Sequence, residues 1–222
     1  GVFFMVNHLF KQYAWGPEIN EIISKLDFYE PTPIQQKVIP ATLRGESIIG
    51  QSQTGSGKTH AYLLPLFSQM EADKREVQFV VTAPTRELAS QIYDEVRKLI
   101  QFSRVNWNAK LLIGGTDKKR QIEKLKEQPQ IVIGTPGRIY DLINEEALDV
   151  FTAKSFVVDE ADLMLDLGLI KEVDQILVRA NPKIQLMVFS ATIPERLQPF
   201  LKKYLNNPSY FKMEDQQLSP ET

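Results

Sequence analysis

The chain has 222 residues, 43% hydrophobic and 24% charged, and its 26 basic and 28 acidic side chains leave a net charge of −2. That length buries a full core as one domain, and no apolar run reaches the ~20 residues of a membrane helix, so a membrane-spanning class is not expected. Having no cysteine, the chain lacks a disulfide framework, a thiol nucleophile and a cysteine zinc site, which fits a reducing cytoplasm. Near-neutral charge neither favours nor excludes nucleic acid, because only a contacting face must be positive. The start, Gly1-Val2-Phe3-Phe4-Met5, has no basic n-region and no cleavage site, so no signal peptide is expected. Residues 1–4 are set aside as an addition ahead of Met5, and residues 5–215 are expected to form the domain.

In chain order, Ile19, Ile22, Ile23 and Leu26 follow helical spacing behind Pro17. Thr32 can cap, and Pro33 can open, a second helix running to about Leu43. Six apolar, β-rich runs follow, at 47–49, 77–83, 110–113, 130–133, 155–158 and 185–189. Helical patterns lie between or after them at about 57–71, 86–102, 117–127, 137–146, 170–180 and 195–205. Continuous apolar strands alternating with helices predict an α/β domain with a mostly parallel sheet covered by helices on both faces. Residues 209–213 can add another strand, and 216–222 read as a polar tail.

Ligands of such sheets collect outside the carboxyl ends of the strands, and chemically loaded residues follow every run. After 47–49 comes Gly50-Gln51-Ser52-Gln53-Thr54-Gly55-Ser56-Gly57-Lys58-Thr59. Strand, glycine-rich turn and helix start form the geometry that binds a polyphosphate. Gly55 and Gly57 let the backbone curl so that successive N–H groups point at phosphate oxygens, and the helix N-terminus adds its unpaired donors. Lys58 is expected to reach the β- and γ-phosphates, and the Thr59 hydroxyl to ligate Mg²⁺. The usual pattern has glycine at position 52, where this chain has Ser52.

Asp159-Glu160 directly follows the fifth run. A carboxylate there, beside a phosphate loop, is the expected second half of a Mg²⁺–nucleotide site. Asp159 is expected to hold Mg²⁺ partly through water, since Mg²⁺ keeps much of its hydration shell. Glu160 is expected to deprotonate the attacking water. The plain alternative is that these acids cap the following helix, where Asp and Glu are favoured anyway.

Asp159-Glu160-Ala161-Asp162 spells D-E-A-D, and the chain resembles the first RecA-like domain of DEAD-box RNA helicases. The likeness runs from about Phe10 to the last strand. It rests on motifs in the family's order at 31–35, 52–59, 84–89, Gly114-Gly115, 135–138, 158–162 and 190–192. This family does not require glycine at the position of Ser52. By resemblance the fold is a RecA-like P-loop NTPase domain, and Ser52, Gln53, Thr54, Gly55, Ser56, Gly57, Lys58 and Thr59 bind ATP. The resemblance also implies that Gln35 reads the adenine edge with Phe28 stacked on the ring, inside an adenine-reading segment at 10–35. A side-chain amide donates and accepts at once, which separates adenine from guanine. Phe10 is either the family's upstream aromatic or a packing staple. Asp27 stands where the family often has glycine. Ser190 and Thr192 resemble the link between hydrolysis and unwinding, bonding to Asp162, although short hydroxyls after a strand also cap turns.

An RNA face is implied at Pro84, Thr85, Arg86, Gly115, Thr135, Gly137 and Arg138. Hydroxyls and N–H groups bond phosphates and arginine adds charge-assisted contacts, so the expected binding is sequence-independent and salt-sensitive. Tight turns alone explain Gly115 and Gly137 more simply. Lys118-Lys119-Arg120 reads as a solvated helix start before a basic patch, Leu169 as a packing variation, and Trp15 and Trp107 as packing residues.

The resemblance implies an ATP- and Mg²⁺-dependent RNA helicase lobe that works as a monomer with a second RecA-like lobe, off the membrane. An arginine finger from that lobe is expected to complete phosphoryl transfer, so this chain alone is expected to turn over ATP poorly. Two rivals are a self-contained P-loop NTPase switch acting on protein partners and a non-enzymatic RNA clamp. The RNA pathway served is not legible.

Overall fold

A computed structural model describes residue 15 and residues 17–26, 31–53 and 57–213. Seven strands form one sheet in the order β3-β4-β2-β5-β6-β1-β7, and every pairing is parallel. The strands are β1 (Ile48–Gln51), β2 (Phe79–Thr82), β3 (Ala109–Leu112), β4 (Ile131–Gly134), β5 (Ser155–Val158), β6 (Gln185–Ser190) and β7 (Ser209–Lys212). All six expected strands form, and residues 209–212 supply the seventh at the edge beside β1.

Alternation along the central strands sorts the core into two layers. Phe79, Val81, Ile131, Ile133, Val157, Met187 and Phe189 point to one face. Val80, Val132, Phe156, Val158, Leu186 and Val188 point to the other. The first face carries α1 (Pro17–Lys25), α2 (Pro33–Leu43), α3 (Lys58–Ser68) and α4 (Arg86–Ser103). The second carries α5 (Lys118–Leu125), α6 (Pro136–Asn144), α7 (Ala161–Asp166), α8 (Ile170–Val178) and α9 (Gln198–Tyr204). Because both faces are covered, the inner strands are wholly buried and read as unbroken apolar runs.

Local chemistry starts the helices where the site needs them. Thr32 and Gln35 form a reciprocal capping box: Thr32 Oγ1 accepts from the Gln35 N–H at 3.4 Å and the Thr32 N–H donates to Gln35 Oε1 at 3.0 Å. Thr85 caps α4, accepting from the Leu88 N–H at 3.1 Å. One helix was not legible beforehand. Residues 161–166 make α7, too short to show a helical period, immediately behind the acidic pair. A 3₁₀ turn, Glu195–Leu197, leads into α9. Trp107 is buried and packs on Phe67 with ring centres 5.3 Å apart, and Trp15 rests partly buried on the same core. Among the described residues no helix is long and apolar enough to cross a membrane.

Candidate active site and nucleic-acid groove

An all-parallel sheet delivers every strand's carboxyl end to one edge, and the strand order divides that edge. β3, β4 and β2 lie together, followed by the loops that hold Gly115, Thr135–Arg138 and Pro84–Arg86. β5, β6 and β1 lie together beyond them, followed by Asp159, Ser190–Thr192 and the loop to Lys58. The two residue sets expected to meet different ligands therefore occupy adjoining halves of one edge.

On the second half, Lys58 opens α3 with Gly57 at its N-cap. Gly57 has φ +87°, and a Cβ there would lie 2.7 Å from Thr32 Oγ1 and 2.9 Å from Gln35 Nε2. Both the left-handed backbone and the close approach demand glycine. Gln35 is buried and donates from Nε2 to the Gly57 carbonyl at 3.1 Å, so the capping box is tied to the phosphate loop. A side-chain amide carries two N–H groups and two lone pairs. One of each is used here, which leaves one donor and one acceptor for a base edge. Ser52 is buried, its N–H donating to the Ser190 carbonyl at 3.2 Å, and Gln53 is exposed. Phe10, Asp27, Phe28, Thr54, Gly55 and Ser56 lie outside the described residues.

The Lys58 ammonium sits 3.1 Å from Asp159 Oδ1 and 3.6 Å from Glu160 Oε1. Asp159 is fully buried at the end of β5. Its Oδ2 accepts from the Tyr62 hydroxyl at 2.9 Å, whereas Oδ1 has no aligned donor despite the nearby ammonium. A buried carboxylate oxygen left without a hydrogen bond is costly, and it fits the water shell of a hard cation. Among the described residues no three His, Asp or Glu side chains are grouped to hold a metal alone. Mg²⁺ takes one or two carboxylates and completes its shell with phosphate and water. Thr59 and Asp159 are the side chains that would hold it.

Glu160 occupies the N-cap position of α7 but makes no side-chain cap bond, and its backbone is left-handed at φ +53°. The capping alternative therefore does not account for this acid. Tyr62, one helical turn after Lys58, is the residue the motifs did not single out. Burial, then the charge of Asp159, pushes its phenol well above the ordinary value, so it stays a neutral donor. Its only sequence signal is a phenol within the apolar stretch of α3, on the face that carries Lys58.

Behind Glu160, Asp162 and Thr192 close a loop between α7 and the end of β6. Asp162 Oδ2 accepts from Thr192 N at 3.1 Å and from Thr192 Oγ1 at 2.9 Å. The Asp162 N–H donates to Ser190 Oγ at 3.0 Å, and that hydroxyl donates to the Thr192 carbonyl at 2.6 Å. Partial burial resists ionisation of Asp162, but the hydrogen bonds from Thr192 and Leu163 outweigh it and hold the carboxyl below the ordinary value.

On the first half, Pro84, Arg86, Thr135, Gly137 and Arg138 line one open groove of about 720 Å³, with Leu169 at its wall. Gly115 joins it through Arg86, whose guanidinium lies over Gly114 and Gly115. Gly115 has φ +82°, so a turn does explain it. Gly137 sits in the first turn of α6, and a Cβ there would meet nothing within 4 Å. The turn explanation fails at Gly137; what its missing side chain leaves is open space at the groove wall. Thr85 spends its oxygen on the helix cap, whereas Thr135 makes no side-chain cap bond. Arg138 Nη1 donates to Gln121 Oε1 at 2.7 Å and to the Thr116 carbonyl at 3.3 Å, which pins it to the loop after β3. Lys118 is held by Asp141 at 3.3 Å and Glu145 at 3.2 Å, and the hydrogen bonds it donates to these acids, Glu145 first, raise its pKa. The basic run is thus partly neutralised at its first member, as expected for a solvated helix start.

The sequence pattern of the DEAD/DEAH box helicase family matches residues 32–200, from the capping box to the helix behind Thr192. The chain belongs to the DEAD/DEAH box helicase family. Within the family it is 56% identical over 201 residues to the DEAD-box ATP-dependent RNA helicase CshB of Listeria monocytogenes, covering 90% of this chain and 46% of that protein. It is 56% identical over 211 residues to CshB of Bacillus subtilis, covering 95% of this chain and 48% of that protein. The crystal structure of a DEAD box protein from the hyperthermophile Methanococcus jannaschii superposes with a TM-score of 0.85 at 36% identity, over 92% of this chain and 56% of that one. The chain thus spans about half the length of the curated relatives it matches. Among solved structures of the family, this sheet and its helices are the RecA-like architecture that the motifs implied.

Proposed function

We propose that the chain is the nucleotide-binding lobe of an ATP-dependent RNA helicase. The observation that carries this reading is the divided sheet edge, with phosphate-loop and acidic residues on one half and the Arg86–Arg138 groove on the other. Gln35 presents one donor and one acceptor to adenine, while residues 52–59 receive the phosphates and Lys58 leaves the carboxylates for the β- and γ-phosphates. Thr59 and Asp159 would hold magnesium, partly through water. When bound, magnesium supplies charge neutralisation at the phosphates. Glu160, released from Lys58, accepts the proton of the attacking water.

RNA lies along the groove by its sugar–phosphate backbone. Arg86 and Arg138 contact phosphates, Thr135 contributes a hydroxyl, and the open space at Gly137 admits the backbone closely. The Asp162–Thr192–Ser190 bonds link the acidic loop to the end of β6, and we assign them the coupling between hydrolysis and strand separation. The relatives are about twice as long as this chain, and we assign their additional length a second RecA-like lobe that supplies the arginine finger. The unit acts as a monomer in the cytoplasm.

The test is turnover by the longer protein with Glu160 replaced by glutamine. The expected result is retained ATP binding with RNA-stimulated hydrolysis reduced by about 10²–10⁴-fold. Unchanged hydrolysis would overturn the assignment of Glu160. Equal affinity for GDP and ADP would instead favour a self-contained switch.

A further inference from the structure

The Tyr62 hydroxyl touches one of the residues that the proposed function gives to the metal: it donates to Asp159 Oδ2 at 2.9 Å. Tyr62 and Asp159 are both fully buried. The ring lies 5.2 Å from Phe189, in space that phenylalanine would fill equally well and without a hydroxyl to desolvate. A buried tyrosine usually finds some partner for its oxygen. Here the partner is the carboxylate that ends β5.

We propose that Tyr62 is a positioning residue that pre-sets the metal side of the nucleotide site by fixing which carboxylate oxygen Asp159 presents. The inference rests on the ATP-binding reading above and deepens it. A phenol has one hydrogen to give and lone pairs to accept with. Its hydrogen goes to Asp159 Oδ2, so that oxygen is spoken for and the carboxylate cannot rotate freely. Oδ1 is left buried and without an aligned donor, facing Lys58 at 3.1 Å. The phenol thus spends its hydrogen on Oδ2 and leaves Oδ1 to face the cation side of the site. No bond is made or broken in this arrangement. It is an outer-shell hydrogen-bond network of the kind that orients ligands and tunes affinity.

The test is Tyr62→Phe, read by Mn²⁺ binding as well as by activity. Free Mn²⁺ is followed by electron paramagnetic resonance while the chain is titrated in the presence of ADP or a non-hydrolysable ATP analogue. We expect Mn²⁺ retention to weaken about 10-fold, with nucleotide affinity in chelator unchanged. A purely packing role would leave Mn²⁺ affinity unchanged, or would lower nucleotide affinity equally with and without metal. Either result overturns the inference. An Asp159→Asn background guards against a general loosening of the fold. There the Tyr62→Phe change is expected to add no further loss of Mn²⁺, and the same loss in both backgrounds would also contradict the proposal. If the unaltered chain bound neither nucleotide nor Mn²⁺–nucleotide, the ATP-binding reading itself would fall. A normal unaltered chain with an unaffected Tyr62→Phe variant would remove the positioning role alone.

Discussion

Gln35 donates from Nε2 to the carbonyl of Gly57 at 3.1 Å while its Oε1 accepts from the Thr32 N–H at 3.0 Å. One side chain thereby joins the start of α2 to the last residue before Lys58. Gln35 and the residue before Lys58 are one hydrogen-bonded unit, so under the proposed function an adenine contact at Gln35 would be felt at the phosphates. Replacing Gln35 with alanine removes both bonds. The expected result is loss of ATP-over-GTP preference together with a stability loss of about 1 kcal/mol from the broken cap. Competition binding and thermal melting of the same variant separate the two effects.

The groove residues predict distinct salt signatures. Arg86→Ala and Arg138→Ala are each expected to weaken RNA binding for all sequences alike and to lower the salt slope by about 1. Arg138 is also anchored to Gln121 and Thr116, so its removal should loosen the loop after β3, whereas Arg86 is exposed and shows no such side-chain hydrogen bond among the described residues. Fluorescence anisotropy with a labelled single strand at several salt concentrations reads the slope.

Gly137→Ala isolates close approach from folding. A Cβ there meets nothing, and alanine is the better helix former by about 1 kcal/mol. The variant is expected to melt no lower than the parent yet to bind RNA more weakly. Lower stability with unchanged RNA binding would mean that the glycine serves the chain itself.

Thr192→Val deletes the hydroxyl from Asp162 and leaves the backbone bond in place. In the longer protein, RNA-stimulated ATP hydrolysis should persist while duplex separation falls, and the melt should drop by about 1 kcal/mol. The acid limb should move as well. Asp162 has a folded pKa held below the ordinary 3.8, so its contribution is present above that value and is lost as pH falls through the folded pKa. With one donor gone, the loss should begin at higher pH.

His60 sets a second pH dependence nearer neutrality. Burial, ahead of the opposing charge of Glu95 at 3.1 Å and helped by Lys98, pushes the imidazole below its usual 6.5. A base with a depressed folded pKa stabilises the fold above the unfolded pKa and loses that stability as pH falls through the folded one. Denaturant midpoints should therefore decline below pH 6.5, and His60→Gln should flatten that decline.

Much of the fold was legible because a parallel sheet buried on both faces turns each inner strand into a plain apolar run, as at Ile131–Gly134 and Ser155–Val158. Strand order was not legible. Nothing in the periodicity of β2 says that β4 and β5 flank it, yet that order sets Arg86 and Asp159 behind neighbouring strands, where the two halves of the edge meet. The helix at 161–166 escaped because six residues carry no period. Site residues were readable where glycine, lysine and carboxylate follow a strand at fixed spacing, as at Lys58 and Asp159. Gly137 was read as a turn because its backbone angle and its empty surroundings are facts of the folded chain. Tyr62 was passed over for a related reason: its partner lies 97 residues away, brought to it only when β5 reaches the sheet edge.

The central claim is that this edge binds ATP and RNA in adjoining halves and needs a second lobe for turnover. ATP hydrolysis by this chain, with and without single-stranded RNA, and then with the remaining half of the longer protein added, tests it most directly. The account predicts little turnover by the chain alone and RNA-dependent turnover once the other half is supplied. Rapid, RNA-independent hydrolysis by the chain alone would contradict it.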